Sequence, residues 1–317
     1  MTDHADSRTQ RSTLQPASLH RFDYACPGID IVGAKPGPRL CIMAGVHINE
    51  ASSIAAAMHL PDFIDTQLLS GQVSIIPIVS THHLYTKAMV TPPSSGVDLH
   101  WSYPGDPRGD FNDALAHWLV CEWAQDADVL LDLHGGDLDE RMARYVVTQK
   151  TGDDAFDASI SNLAGCFDTD LNVALAAPET WSAGRICTAL ARNKRRGMVV
   201  EAGDHGHLDQ DSVDWIIAGV MKVMRHLNML PGGVDIRADR TVLGRYEWVV
   251  APVAGGVRLK VNPGDRVTLG DRIGIITNLF GEEIAEVRAA ASGHIMMLKT
   301  PLFAQAGEWI GAIASET

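Results

Sequence analysis

The chain has 317 residues, 46% of them hydrophobic and 21% charged, fractions that belong to a folded globular protein and argue against disorder. Twenty-six Lys and Arg against 39 Asp and Glu give a net charge of −13, which repels phosphate backbones and excludes a nucleic-acid partner without a local basic patch. The densest basic run, Lys194-Arg195-Arg196, is too short to make one.

Residues 1–19 are polar and carry no apolar run of the kind a secretory signal needs, so they are expected to be flexible. No stretch approaches eighteen apolar residues, so no membrane-spanning helix is expected. Five cysteines, widely spread and without a C-x-x-C pair, fit reduced thiols in a cytoplasmic enzyme better than a disulfide framework.

Leu40–Ala44 reads as a short buried strand, followed by a helix over Asn49–Asp65. Gln72–Val79 is β-branched and strand-like, and Pro77 puts it at an edge or marks its end. Asp110–Trp123 spaces Phe111, Leu115, Trp118, Leu119 and Trp123 as a helix does. Val129–Leu133 and Met198–Val200 are further short apolar strands, and Ser212–Leu230 is the longest predicted helix. Strands alternating with helices predict an α/β domain whose sheet is largely parallel and covered on both faces.

Pro231-Gly232-Gly233 ends that helix and the texture changes. Short alternating runs punctuated by Gly255-Gly256, Pro263-Gly264-Asp265 and Gly270-Asp271 predict a small antiparallel β unit. The expected division is therefore an α/β domain over 1–235 and a β domain over 236–317. This tail resembles a barrel-sandwich hybrid, the fold of biotinyl and lipoyl carriers, which hold a lysine at a hairpin tip. The corresponding turn here, Asn278 to Glu283, has no lysine. The tail is therefore expected to shield an active site or to build a homo-oligomer rather than to carry a prosthetic group.

Ala44-Gly45-Val46-His47-Ile48-Asn49-Glu50 sets a His and a Glu three apart where a strand gives way to a helix. Residues i and i+3 share a helical face, so both can reach one cation. Zinc hydrolases commonly use three protein ligands and leave a fourth position for water. His134, in Asp132-Leu133-His134-Gly135-Gly136, offers a third ligand at another strand end, and open α/β sheets bind ligands at such ends. Either motif alone is compatible with chance or with a capped loop histidine; together they favour a metal. Glu201 ends a third apolar strand. It suits a general base, although a structural carboxylate paired with an Arg would also explain it.

Taken in order, AGVHINE, GVDLHWSYPG, DLHGG and VVEAG resemble the succinylglutamate desuccinylase/aspartoacylase family of zinc-carboxypeptidase-like hydrolases. The resemblance covers the first 235 or so residues, and larger members carry a β-rich tail. It implies a zinc-carboxypeptidase-like mixed sheet flanked by helices, with one Zn²⁺ per chain held by His47, Glu50 and His134. It also implies that Glu201 activates water to cleave a small N-acyl amide.

The central turn departs from the family. His100 and Trp101 stand where members have an Asn-Arg pair that grips a substrate carboxylate, after a matching Asp98, and an ungapped count puts Val90 where members have a carbonyl-polarising Arg. A guanidinium fork is not interchangeable with a neutral aromatic. The substrate is thus expected to differ from a standard N-acyl aspartate or glutamate, with Trp101 stacking on a flat or cationic group and His100 donating one hydrogen bond. Arg108, Arg141, Arg144 and Arg185 are candidates for the missing positive charge. A carboxypeptidase-like peptidase, or a non-catalytic zinc-dependent binding protein, are the competing readings. Asp132, two before His134, is a candidate to orient its imidazole. His82-His83 could flank the site, His205 and His207 could line it, and His117, Trp118 and Trp123 are expected in packing roles.

Overall fold

The structure, a computed structural model, describes residues 8–85, 97–176 and 184–316. It opens with strands β1 (Thr9–Leu14), β2 (Cys26–Val32) and β3 (Lys35–Ala44), then helix α1 (Ala51–His59), strand β4 (Ser70–Ile76) and helix α2 (Phe111–Trp118). Strands β5 (Val129–His134), β6 (Glu140–Met142) and β7 (Tyr145–Gln149) precede helix α3 (Asp154–Ala164) and strand β8 (Leu171–Leu175). Helix α4 (Ile186–Ala191), strand β9 (Arg196–Glu201) and helix α5 (Gln210–His226) complete the α/β part. Beyond residue 240 the chain is all strand: β10 (Thr241–Val250), β11 (Gly255–Leu259), β12 (Arg266–Val267), β13 (Arg272–Thr277), β14 (Glu283–Arg288), β15 (Gly293–Lys299), β16 (Phe303–Ala304) and β17 (Trp309–Glu316).

Among the described residues one large mixed sheet runs in the order β1-β2-β4-β3-β5-β9-β7-β8-β10-β17-β15-β12, with β6 on β15. Its centre, β4-β3-β5-β9, is parallel, and β5 is buried along its whole length, as an interior parallel strand must be. Helices α1, α3 and α5 cover one face around Leu40, Ile42, Leu131 and Val200. Helices α2 and α4 cover the other around Cys41, Met43, Leu130 and Val199. The alternation of these residues along β3, β5 and β9 splits the core between the two faces. No helix among the described residues is long and apolar enough to cross a membrane.

Several boundaries differ from the sequence expectation for identifiable reasons. Within residues 9–19, expected from sequence to be flexible, β1 pairs antiparallel with β2 and Leu19 is buried. A polar sequence suffices there because an edge strand is anchored by backbone hydrogen bonds on one side and wetted on the other. The first helix stops at His59 and tightens into a 3₁₀ turn over Leu60–Phe63, where Pro61 offers no backbone donor. The second stops at Trp118 and widens into a π turn over Leu119–Trp123. Pro77 lies just past the end of β4, which pairs on both sides and is not an edge strand. Helix α5 starts on a cap from Asp209, whose carboxylate accepts from Ser212 N at 3.0 Å, and buries Val213, Ile216, Ile217, Val220, Val223 and Met224.

The β-rich tail forms a second, four-stranded sheet in the order β14-β13-β11-β16. Its own core, around Val249, Ile276, Ile295 and Ile313, lies between that sheet and the end of the large one. The large sheet crosses without a break from the α/β part into the tail, through the parallel pairing of β8 with β10. Strand β15 also pairs with β6, Met297 opposite Met142. In the turn from Asn278 to Glu282, the Asn278 carboxamide oxygen accepts from the backbone N of Phe280 and Glu282.

Candidate active site

His134 and Glu201 face each other on adjacent parallel strands, β5 and β9, and His47 and Glu50 follow β3 on the other side of β5. All four therefore meet at the carboxyl edge of the sheet. Glycine makes the approach possible. A Cβ on Gly135 would sit 2.3 Å from the Ala202 carbonyl oxygen, and Gly136 N donates to Gly203 O at 2.8 Å. The strand ends that carry His134 and Glu201 can pack this tightly only with no side chain between them.

His47 Nδ1 lies 2.7 Å from Glu50 Oε1, and His134 Nδ1 lies 3.1 Å from Glu50 Oε2. The ligand atoms of His47, Glu50 and His134 all fall within 4.8 Å of one another. The far edge of each imidazole meets an aspartate: His47 Nε2 is 3.3 Å from Asp98 Oδ1, and His134 Nε2 is 3.1 Å from Asp132 Oδ2. The first is a hydrogen bond; the second is a close approach whose direction does not make one. Glu50 is 3% exposed, His134 1% and Asp132 fully buried.

Burial alone would push the Glu50 carboxyl up, but His134 and His47 beside it bring it below its ordinary value. For His47 and His134, burial works downwards and is overcome by Glu50 with Asp98 or Asp132, leaving both imidazoles well above the usual range. Buried acids and imidazoles that hold each other's charge in this way suit a dication, which would take over the role the protons play here. Glu50 Oε2 and Glu201 Oε2 are buried and make no hydrogen bond. Two imidazoles, one carboxylate and an uncommitted carboxylate oxygen form a donor set that fits a zinc-type ion.

Glu201 is 8% exposed, and burial pushes its carboxyl up to about 8, opposed by the neighbouring imidazoles and reinforced by Glu50 and Asp132. His100 is driven far below its usual value, first by burial and then by His134, Arg185 and His47, so its ring is neutral. Its Nδ1 is buried without a hydrogen bond. Asp98 caps the short turn Leu99–Trp101 by accepting from His100 N at 2.7 Å. Asp98 thus lines the cleft while its carboxylate is turned to His47 and the His100 backbone. Val90 lies outside the described residues.

These groups open into a cleft of about 200 Å³. Of the four arginines weighed from sequence, only Arg185 lines it. Arg108 pairs with Asp106 at the surface, Arg141 donates to Asn262, and Arg144 pairs with Asp209. The Arg185 guanidinium lies 4.1 Å from the centre of the Trp101 ring and 5.2 Å from that of Tyr246. Trp101 lines the cleft, and Arg185 covers one face of its ring. Gly184 permits this, since a Cβ there would lie 1.6 Å from the Trp101 carbonyl oxygen.

The other histidines lie elsewhere. His82 packs its ring 4.7 Å from Phe111 and is lowered to about 4 by burial and by His83. His205 and His207 stack on each other at 5.6 Å and do not line the cleft. Trp118 and Trp123 belong to the core on the α2 side. Sequence reasoning missed the far wall, built from Tyr246, Trp248, Met297 and Trp309 of the tail and Met142 of β6. The available signal was the spacing of Tyr246 and Trp248, which puts both rings on one face of a strand.

Residues 36–227 match the succinylglutamate desuccinylase/aspartoacylase catalytic domain, and the chain belongs to that family of deacylating hydrolases. An N-alpha-acetyl-L-2,4-diaminobutyric acid deacetylase of Halomonas elongata is 25% identical over 296 residues, covering 90% of this chain and 84% of its own. The fold is shared with the product-bound ectoine utilization protein EutE (DoeB) of Ruegeria pomeroyi, with a TM-score of 0.80 at 20% identity over 92% of this chain and 89% of that one. A succinylglutamate desuccinylase/aspartoacylase of Rhodobacter sphaeroides gives 0.80 at 20% identity over 98% and 96%.

Proposed function

We propose that the protein is a zinc-dependent amidohydrolase that cleaves a small N-acyl amide, with one ion per chain held by His47, Glu50 and His134. The observation that carries this reading is the convergence of those three side chains within 4.8 Å, beside a buried carboxylate whose free oxygen has no other partner. A bound zinc ion supplies Lewis-acid polarisation of the scissile carbonyl and lowers the pKa of water towards neutrality. Asp98 holds the His47 imidazole in orientation through a hydrogen bond, and the Asp132 carboxylate stands 3.1 Å behind that of His134.

Glu201 accepts a proton from the attacking water as its oxygen adds to the carbonyl carbon. It returns that proton to the amide nitrogen as the C–N bond breaks, and the second proton of the water passes from the new carboxyl group to the released amine, leaving a carboxylate and an ammonium. Arg185 is the cation that faces the cleft, held flat against Trp101, and is assigned to an anionic group of the substrate. Neutral His100 is assigned one hydrogen bond to the substrate. The halves of the cleft come from distant parts of the chain, so the tail acts as a wall of the site.

The experiment is release of acetate from a panel of N-acetyl amino acids and N-acetyl amines by wild-type protein and by Glu201→Gln. The variant is expected to lose about 10²- to 10⁴-fold in turnover while keeping its metal. Full activity in Glu201→Gln would remove Glu201 from the reaction. No turnover of any amide by wild-type protein, with ligand binding retained, would establish a binding protein instead.

A further inference from the structure

Three side chains at the inner wall of the cleft carry buried polar atoms without a hydrogen bond: Asp132 through both carboxylate oxygens, His134 through Nε2 and His100 through Nδ1. One nitrogen of His100, one of His134 and one oxygen of Asp132 lie within 4.8 Å of one another. The His100 and His134 rings meet edge to face, centroids 4.9 Å apart at 82°. A carboxylate that is fully buried is costly unless donors surround it, and the two imidazoles are the donors at hand. Its two oxygens accept at about four lone-pair positions, which also leaves room for Tyr103, whose hydroxyl is buried without a bond and is held above its ordinary value in part by Asp132.

The same three side chains are close enough to share a cation, but His134 decides against it. Its Nδ1 faces Glu50 on the side proposed for zinc. A neutral imidazole has one lone pair, so its Nε2, 3.1 Å from Asp132 Oδ2, carries a hydrogen and cannot ligate a second ion. The His100 ring has the opposite need. Its buried nitrogen is Nδ1 while the ring lines the cleft, which leaves Nε2 as the atom open to a ligand. A carboxylate only accepts, so an Nδ1 held by Asp132 bears the ring hydrogen. In the neutral ring Nε2 is then a bare acceptor. This reverses the direction expected from sequence, in which His100 donates.

On the reading of the site as an N-acyl hydrolase, we propose that Asp132 fixes His100 as its Nδ1–H tautomer and that His100 Nε2 accepts the N–H of the scissile amide. The His100 ring lies 4.9 Å from that of His134 and 5.8 Å from that of His47, so it borders the ligands beside which the scissile carbonyl is bound. The amide nitrogen is one bond from that carbonyl carbon, and its N–H is the nearest substrate donor. Asp98 holds the turn in place by accepting from His100 N at 2.7 Å. His100 is thus a substrate contact and Asp132 a positioning residue behind it. The contact favours an amide over an ester of the same shape, whose oxygen sets a lone pair against the Nε2 lone pair. One such hydrogen bond is worth about a tenfold difference in affinity.

The tautomer is read by NMR of ¹⁵N-histidine-labelled protein as purified, with the His100 signals assigned by their loss in His100→Asn. A hydrogen on Nδ1 and none on Nε2 is expected; a hydrogen on Nε2 would overturn the proposal. The contact is read as binding, apart from turnover. Glu201→Gln protein is titrated calorimetrically with N-acetyl-L-alanine and with O-acetyl-L-lactate, its ester counterpart, alone and with His100→Phe or His100→Gln added. The amide is expected to bind about tenfold tighter than the ester. His100→Phe should remove that preference, and His100→Gln, whose carboxamide oxygen accepts, should keep part of it. Equal binding of the two ligands, binding of neither, or a preference that survives His100→Phe would overturn the contact even if wild-type protein hydrolyses amides. A His100-dependent preference for the amide without acetate release from any amide by wild-type protein would sustain it and overturn the hydrolase reading.

Discussion

Asp98 Oδ1 lies 3.3 Å from His47 Nε2, on the ring edge opposite the nitrogen that meets Glu50. Asp98 also caps its own turn through His100 N, so a single carboxylate sets both the ring of a proposed ligand and the path of the loop beside it. Asp98→Ala is expected to weaken zinc affinity by about 10- to 100-fold, measured by competition with a chromophoric chelator. Unchanged affinity would mean that Glu50 and the backbone alone orient His47.

The Glu201 carboxyl carries a pH signature in the metal-free protein. Burial raises it from 4.5 to about 8, so between those values the folded chain keeps a proton that the unfolded chain has released. Its contribution to stability is full below about 4.5 and is lost as pH rises through about 8. Chelator-treated wild-type protein should therefore lose Tm relative to Glu201→Gln across that window. Parallel Tm curves would show that Glu201 does not titrate there.

Gly135 is a packing requirement of the site. Its missing Cβ leaves room for the Ala202 carbonyl, 2.3 Å from where a methyl would sit. Gly135→Ala is expected to cost about 1–3 kcal/mol in urea unfolding, and to reduce turnover further by parting His134 from Glu201. A variant as stable and active as wild type would show that the strand ends separate freely.

Lys299 ties the tail to the rim of the cleft through Asp139, Glu140 and the Trp309 ring. The ammonium is 12% exposed and its partners 9% and 13%, so little solvent screens them. Lys299→Met leaves two nearly buried carboxylates facing each other and should cost about 3–5 kcal/mol. A loss below about 1 kcal/mol would put this pair with ordinary surface ion pairs.

The grouping of His47, Glu50, His134 and Glu201 was legible because these residues follow apolar strands in short motifs: His47 and Glu50 after β3, His134 closing β5, Glu201 closing β9. Their meeting follows from strand adjacency, which the parallel α/β pattern implies. The far wall was not legible, because Trp248 and Trp309 reach the cleft only through the pairing of β10 with β8 and β17. The spacing of Tyr246 and Trp248 marks one face of a strand, but nothing local says that this face meets the cleft. Trp101 illustrates a different limit. Its position in the turn was readable, but Arg185 reaches its face from 84 residues further along, brought there by the close approach of Gly184. The segment over 9–14 misled because polar edge strands lack the alternation that marks half-buried ones.

Elemental analysis of purified, never-chelated protein beside His47→Ala and His134→Ala tests the central claim most directly. One zinc per chain in wild-type protein, lost in both variants, is the predicted result. A wild-type chain that takes up no metal even after incubation with zinc would contradict it and leave Glu201 without the chemistry assigned to it.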